Sequence, residues 1–406
     1  MSKLLVRGGN RLRGEISVGG SKNAALPIIF ASIATRGVTI IHNMPSIVDV
    51  SVALDIISGL GARVEAFSGS VRIDTGDMSY SPPDKTKISR LRASSYLIGA
   101  SLARFNICPP LSVGGCAFDD RPIDMHIMAA EALGANLSQN HLVADGLFGA
   151  DIRFRKISVG ATVNALIMAS CAKGESKIFG YAKEPHVMTL IEYLTLAGAK
   201  IDFTDESISV IGAELSGAEI TLPPDMIEAG SYAAMSLIFG GDIKVSPYPA
   251  SHLTSFSDVI IEGGAKVKLD GAAAAFSGKI DKPLTVIAEP YPKYPTDLQP
   301  IIAPLLLSSA GGEIYDTVFE NRFGYLKTLG SFGAEFEPWG KGYRLYPSQF
   351  HSASVMATDL RGGMAALILA LYAEGESEID GFDLILRGYE NIFLKLLSIG
   401  ADIKVI

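Results

Sequence analysis

A chain of 406 residues, 48% of them apolar, exceeds what one core ordinarily supports and can fill two domains of roughly 200 residues each. A formal net charge of -8 and a pI near 5.4 leave no basic stripe for nucleic acid, and no apolar run approaches the 18 or so residues of a membrane span. Three cysteines without a Cys-x-x-Cys pair and six histidines without ligand-like spacing indicate reduced thiols and no structural metal, as in a soluble cytoplasmic protein.

Two markers recur along the chain with the same period. The first is an Ala-rich apolar helix that opens on polar residues. It begins at Ser21 (Ser21-Lys-Asn-Ala-Ala-Leu-Pro-Ile-Ile-Phe), near Arg90, at Ser158, near Ile227, near Thr296 and at Thr358. The run from Ala24 to Ala34 mimics the apolar part of a signal peptide, but Lys22 and glycines precede it, and the same pattern returns later. The second marker is a Gly-Ala pair that closes a helix and opens an alternating strand. It stands at Gly61, Gly134, Gly198, Gly264, Gly333 and Gly400, about 68 residues apart. The chain therefore reads as six copies of one unit.

Short alternating runs between the markers, such as Val71-Arg-Ile-Asp74 and Ile208-Ser-Val-Ile211, add strands to each copy. One helix per copy is amphipathic and the other almost wholly apolar. A helix that is apolar all round must be buried, so each domain should hold three such helices inside, covered by sheets and by the amphipathic helices. The fold class is α/β (α+β), with two similar three-unit domains instead of an open solenoid. The midpoint, Leu222-Pro-Pro-Asp225, reads as a hinge.

Chemistry concentrates in the stretch Leu111-Ser-Val-Gly-Gly-Cys-Ala-Phe-Asp-Asp-Arg-Pro-Ile-Asp-Met-His126. Leu111 and Val113 end a strand, Gly114-Gly115 frees the turn, and Pro122 opens a helix that runs to Gly134. Cys116 then sits on a loop, and Arg121 at a helix N-terminus, where free N–H groups and the dipole favour an anion. A thiol beside such charge can move a proton or attack as a nucleophile. The first turns of the apolar helices carry Lys22, Asn23, Arg90, Arg92, Ser158, Glu228, Asp297, Asp359 and Arg361. Either these are caps and surface ion pairs, or they open onto a shared polar cleft suited to a multiply anionic ligand. Cys108 and Cys171 read as packing residues, His126 as a helix-surface or capping histidine, Asp119 and Asp120 as solvated acids, and Trp339 with Tyr343 as strand and turn packing.

Six motifs together carry a resemblance: Gly20-Ser-Lys-Asn-Ala-Ala-Leu-Pro27, Gly114-Gly-Cys-Ala-Phe-Asp-Asp-Arg-Pro122, Pro295-Thr-Asp-Leu-Gln299, Phe319-Glu-Asn-Arg-Phe323, Thr358-Asp-Leu-Arg361 and Arg387-Gly-Tyr-Glu390. In these, in this order and over essentially the whole chain, the sequence resembles the enolpyruvyl transferases, and within them the sugar-nucleotide branch. The resemblance implies two domains of three βαβαββ repeats each (an inside-out α/β barrel), one spanning 21–225 and the other 226–406 completed by 1–20, with the active site in the cleft between them. It implies transfer of the enolpyruvyl group of phosphoenolpyruvate to the 3′-hydroxyl of UDP-N-acetylglucosamine with release of phosphate, the first committed step of peptidoglycan precursor synthesis. No metal or cofactor is implied. The partners are two small molecules, with no nucleic acid and no membrane, for a monomer or weak homo-oligomer.

By motif position the resemblance implies a phosphoenolpyruvate clamp of Lys22, Arg92, Arg121, Arg361 and Arg387. Cys116 would be the general acid, Asp297 the base facing the sugar hydroxyl, and Lys22 a further catalytic group. The nucleotide sugar would be held by Asn23, Arg121, Pro122, Ile123, Asp124, Ser158, Val159, Gly160, Asp297, Val318 and Glu320, with Asp49, Arg322 and Asp359 in support. Forked guanidinium pairs are what a trianionic substrate requires, and the reaction needs an acid on one face and an activated hydroxyl on the other. The chain departs from the pattern at Val113, Met226, Gly324-Tyr325 and Leu386. These positions bear on the acceptor and on closure. Two alternatives are transfer to another uridine nucleotide such as UMP, and a catalytically silent paralogue.

Overall fold

A computed structural model describes residues 2–108, 122–138 and 141–406. The chain divides into two compact units, Gly20–Pro223 and Met1–Gly19 together with Pro224–Ile406. Each contains three buried helices. In the unit Gly20–Pro223 these are α1 (Lys22–Ala31), α2 (Leu97–Phe105) and α3 (Val159–Ala169). In the other they are α4 (Met226–Ile238), α5 (Gln299–Leu307) and α6 (Leu360–Tyr372). All residues of Ala24–Ala31, Ala161–Ala169, Gln299–Leu307 and Arg361–Leu371 are buried, because a helix with no polar face has no side to give to water. In four of the six the first N–H groups are met locally: Ser21, Ser158, Asp225 and Asp359 each cap the helix that follows. The second of the six starts later than its sequence suggests. Arg90 lies ahead of it and Arg92 in a 3-10 turn, Arg92–Tyr96. There the Ser94 hydroxyl donates to the carbonyls of Ile88 and Leu91, which draws the backbone away from the α ladder.

All six glycines of the Gly-Ala marker have positive φ: 102° at Gly61 and Gly134, 122° at Gly198, 112° at Gly264, and 96° at Gly333 and Gly400. In five copies the alanine N–H reaches back over the glycine to the helix, as from Ala62 to Ile57 and from Ala401 to Leu396, the bond of a Schellman cap. A side chain would be strained at that backbone position, and the chain leaves it directly into a strand, Arg63–Phe67 in the first copy and Asp402–Val405 in the last.

Five four-stranded sheets share one plan, a parallel pair extended by two antiparallel strands; a sixth, three-stranded among the described residues, is antiparallel. In the unit Gly20–Pro223, Val38–His42 runs parallel to Glu219–Thr221 and antiparallel to Ser70–Asp74, which pairs with Arg63–Phe67. Among the described residues the sheets remain separate and do not close into a barrel. The inward residues of Val38–His42 alternate, and buried Thr39 meets the Tyr193 hydroxyl at 2.8 Å. The N-terminal strands belong to the second unit. Lys3–Gly8 pairs antiparallel with Gly375–Asp380 and Asp402–Val405, and Gly14–Ser17 pairs parallel with Ile243–Ser246. Each unit has its own apolar core.

Candidate functional site

In the unit Gly20–Pro223, Lys22 opens α1, and its Nζ lies 2.7 Å from Oδ2 of Asp49, in the first turn of the helix Val48–Gly59. The lysine side chain is 12% exposed and the aspartate 6%. A cation at a helix N-terminus opposes the dipole, and the carboxylate offsets that while leaving the ammonium partly exposed. Gly20 lies against the next strand's exit so closely that an added Cβ would fall 1.7 Å from the Asn43 carbonyl oxygen. Only glycine therefore lets the chain deliver Lys22 from this direction. Asn23 follows Lys22 on α1 and is half-buried.

Arg92 is half-buried in its 3-10 turn, and burial pulls its guanidinium below the ordinary value. Ile123 precedes the helix Asp124–Ala132, and Asp124 forms an ion pair with Arg155. Ser158 caps α3 by accepting from the Ala161 N–H at 3.4 Å. Gly160 touches the ring of His126: an added Cβ would lie 2.9 Å from its Cε1. His126 is 3% exposed, so the helix-surface reading is corrected. Burial pushes its pKa down to about 4, with the charge of Arg92 acting in the same direction. Asn164 explains how a neutral imidazole is held there. Its Nδ2 lies 2.7 Å from His126 Nδ1 and 3.1 Å from the Ser95 carbonyl, and its Oδ1 accepts from the Gly99 N–H at 2.6 Å. One amide thus ties α3 to α2, to the Arg92 turn and to the helix of Asp124. Sequence reading missed Asn164, although a lone amide inside an apolar helix was the available signal.

In the other unit the convergence is on Asp297, in the 3-10 turn Thr296–Leu298 just ahead of α5. Arg322 Nη1 donates to its Oδ1 at 2.8 Å, and Arg361 donates to Oδ2 through Nε at 3.2 Å and Nη2 at 3.1 Å. The guanidinium side chains are 6% and 2% exposed, while the Asp297 side chain remains 29% exposed. Two fixed cations keep the carboxylate oriented and leave part of it accessible. Burial alone would lower the Arg361 guanidinium, but Tyr389 and the carboxylates of Asp297 and Asp225 hold it above its ordinary value. Its ring contact with Tyr389 is 5.3 Å from the centroid, and Tyr389 is held by Ser231 at 2.8 Å.

The neighbouring turn is built by Asp316. It pairs with the Thr296 hydroxyl and accepts from the N–H groups of Val318 at 2.9 Å and Phe319 at 2.8 Å, which places Val318 and the motif around Arg322. Asp359 accepts from the N–H groups of Arg361 and Gly362, both at 3.0 Å, and so aims the start of α6. Arg387 is half-buried on the segment before Tyr389. Glu320 is exposed beside a cavity of about 470 Å³ lined in part by Asn321, Lys327, Lys341 and Tyr343, and Asp297 and Arg361 do not line it.

Cys116 and Arg121 lie outside the described residues. Cys108 is buried and Cys171 half-buried, and burial pushes both thiols up to about 12. Among the described residues no group of three His, Cys, Asp or Glu could hold a metal ion, and no helix is long and apolar enough to cross a membrane.

Two units of this plan, three buried helices beneath three sheets, are the fold of the enolpyruvyl transferases. The solved enolpyruvyl transferase NikO from Streptomyces tendae matches with a TM-score of 0.89 at 22% identity, over 100% of this chain and 99% of that one. EPSP synthase from Acinetobacter baumannii matches with a TM-score of 0.73 at 18% identity, over 100% of each. The chain belongs to the EPSP synthase (3-phosphoshikimate 1-carboxyvinyltransferase) family of enolpyruvyl transferases, whose family model matches residues 6–396. Within it the chain is 38% identical to the UDP-N-acetylglucosamine 1-carboxyvinyltransferase of Halothermothrix orenii, over 100% of this chain and 99% of that protein. It is 37% identical to UDP-N-acetylglucosamine 1-carboxyvinyltransferase 1 of Streptococcus agalactiae, over 100% of both.

Proposed function

We propose that this protein transfers the enolpyruvyl group of phosphoenolpyruvate to the 3′-hydroxyl of UDP-N-acetylglucosamine and releases phosphate, as a cytoplasmic enzyme of peptidoglycan precursor synthesis. Full-length relatives bearing that activity's name support the overall reaction. The observation that carries the chemistry is the Asp297 carboxylate, gripped at both oxygens by buried guanidinium groups yet partly exposed. In this reading Asp297 takes the proton of the sugar hydroxyl as its oxygen attacks C2 of phosphoenolpyruvate, while the Cys116 thiol delivers a proton to the methylene carbon. The adduct then loses a proton from the new methyl group and expels phosphate, which restores the carbon–carbon double bond.

Lys22, Arg92, Arg121, Arg361 and Arg387 neutralise the phosphate and carboxylate of phosphoenolpyruvate. Asn23, Arg121 to Asp124, Ser158 to Gly160, Val318 and Glu320 hold the nucleotide sugar, with Asp49, Arg322 and Asp359 orienting Lys22, Asp297 and Arg361. In this reading the bound substrates are held away from bulk water while the proton transfers take place.

Phosphate release with phosphoenolpyruvate and either UDP-N-acetylglucosamine or UMP tests the acceptor. Asp297→Asn keeps the shape and most hydrogen bonds but cannot act as a base, so turnover should fall by roughly 100-fold or more, with little change in calorimetric binding of the nucleotide sugar. Binding lost while turnover at saturation stays near wild type would make Asp297 a binding residue only.

A further inference from the structure

We infer that Tyr325 is a positioning residue for the reaction, acting through Asp297; this rests on the reading of Asp297 as the base. The three groups that form the Asp297 clamp come from separate stretches of chain, and one side chain, Tyr325, contacts residues close to Asp297 and Arg361 in sequence and lies three positions after Arg322. The Tyr325 hydroxyl accepts from Gln299 Nε2 at 3.0 Å. Gln299 is the first residue of α5, two positions after Asp297, and is fully buried. Its Oε1 has no hydrogen-bond partner among the described residues, so the anchoring of this amide falls on the Nε2 bond to Tyr325.

On the side of α6, Gly362 leaves room only for hydrogen against the tyrosine: an added Cβ would lie 2.6 Å from Tyr325 Cβ. Gly362 follows Arg361 directly, and both N–H groups are held by Asp359. Tyr325 itself opens the helix Tyr325–Gly330, three residues after Arg322. It therefore spaces the turn that carries Asp297 from the helix that carries Arg361, and does so from the segment that carries Arg322.

A phenylalanine would fill the same core volume. What it would lack is the hydroxyl, which at 2% exposure has a use only through its bond. Burial holds the phenol well above its ordinary pKa, so it remains a neutral hydrogen-bonding group at any working pH. Tyr325, one of the positions at which the sequence departs from the family pattern, thus has a local role beside the base.

The test is Tyr325→Phe, measured by steady-state phosphate release in the wild-type and Asp297→Asn backgrounds. A small displacement of a catalytic group costs on the order of 10-fold in rate, so kcat should drop by about that factor, while KM for each substrate stays within about twofold. Because Tyr325 acts through Asp297, the substitution should add little to Asp297→Asn. Gln299→Met, which deletes the donor and leaves the ring in place, should give the same kcat loss and the same lack of additivity, and it keeps the test sharp if Tyr325→Phe folds poorly. Wild-type kcat in both single variants overturns the inference. So does an equal fold-loss in both backgrounds, or an effect confined to KM. Failure of the underlying reading looks different: Asp297→Asn would itself retain wild-type turnover.

Discussion

The buried pair of Glu228 and Lys395 offers a perturbation whose size and pH dependence follow from the structure. Glu228 stands in the first turn of α4, and its Oε1 receives Lys395 Nζ at 2.6 Å and the Tyr232 hydroxyl at 3.0 Å, while Oε2 accepts from the Gly19 N–H at 2.9 Å. The carboxylate side chain is 3% exposed and the lysine 14%. Burial raises the Glu228 pKa, against the opposing charge and hydrogen bond of Lys395 and the Gly19 N–H. Lys395→Met removes the largest opposing influences and leaves an ionised carboxylate in the core. Breaking a buried pair in this way costs about 3–5 kcal/mol, which for a unit of this size lowers Tm by on the order of 10 °C.

A glutamate whose folded pKa lies above its unfolded value stabilises the fold at pH below the unfolded pKa, and that contribution is lost as pH rises through the folded pKa. The variant raises the folded value further. Its deficit against wild type should therefore be small in acid, where Glu228 is protonated in both proteins, and widen as pH rises toward about 8. Thermal unfolding of both proteins across that range measures it, and adding Glu228→Gln to the variant should recover most of the loss at the alkaline end. A deficit that is flat with pH, or no larger than about 2 °C at pH 8, would refute the view that Lys395 is what makes the buried carboxylate tolerable.

Cys116 should be the first of the three thiols to react with an anionic electrophile such as a phosphonate epoxide, because burial pushes Cys108 and Cys171 up to about 12 and keeps them protonated; mass mapping after brief exposure, with Cys108 or Cys171 labelled first, would count against it. His126 should remain neutral by NMR down to the region of its folded pKa of about 4, set by burial and by Arg92. Its depressed pKa means that stability is present above the unfolded value and lost as pH falls, by up to about 3 kcal/mol between roughly pH 6.5 and 4. His126→Gln should flatten that part of the stability profile, and an unchanged profile would show that other groups dominate acid unfolding.

Much of this architecture could be read from the chain because its causes are short-range. A glycine at a helix C′ position, a serine or aspartate one residue before an apolar run, and the difference between periods of 2 and 3.6 act over a few residues; the glycine recurs in all six copies and the capping side chain in four. Family motifs likewise named the residues around Lys22, Asp297 and Arg361. The local signals were weakest where side chains overrode them, as in the serine-rich turn after Arg90 and the buried imidazole of His126.

Only the tertiary structure decided which charges meet. Asp297 and Arg361 are 64 positions apart and Glu228 and Lys395 are 167 apart, and no periodicity in either segment encodes the other. The sequence determined by itself that there are six repeats, that six helices are buried, and which polar residues stand at their first turns. The tertiary structure determined that Lys22 is paired with Asp49, that one carboxylate receives two guanidinium groups, that Asn164 joins His126 to the Gly99 N–H, and that Gln299 donates to Tyr325. Helix and strand identity follow from interactions that each residue makes with its near neighbours, whereas the pairing of buried charges depends on which elements the two cores bring side by side.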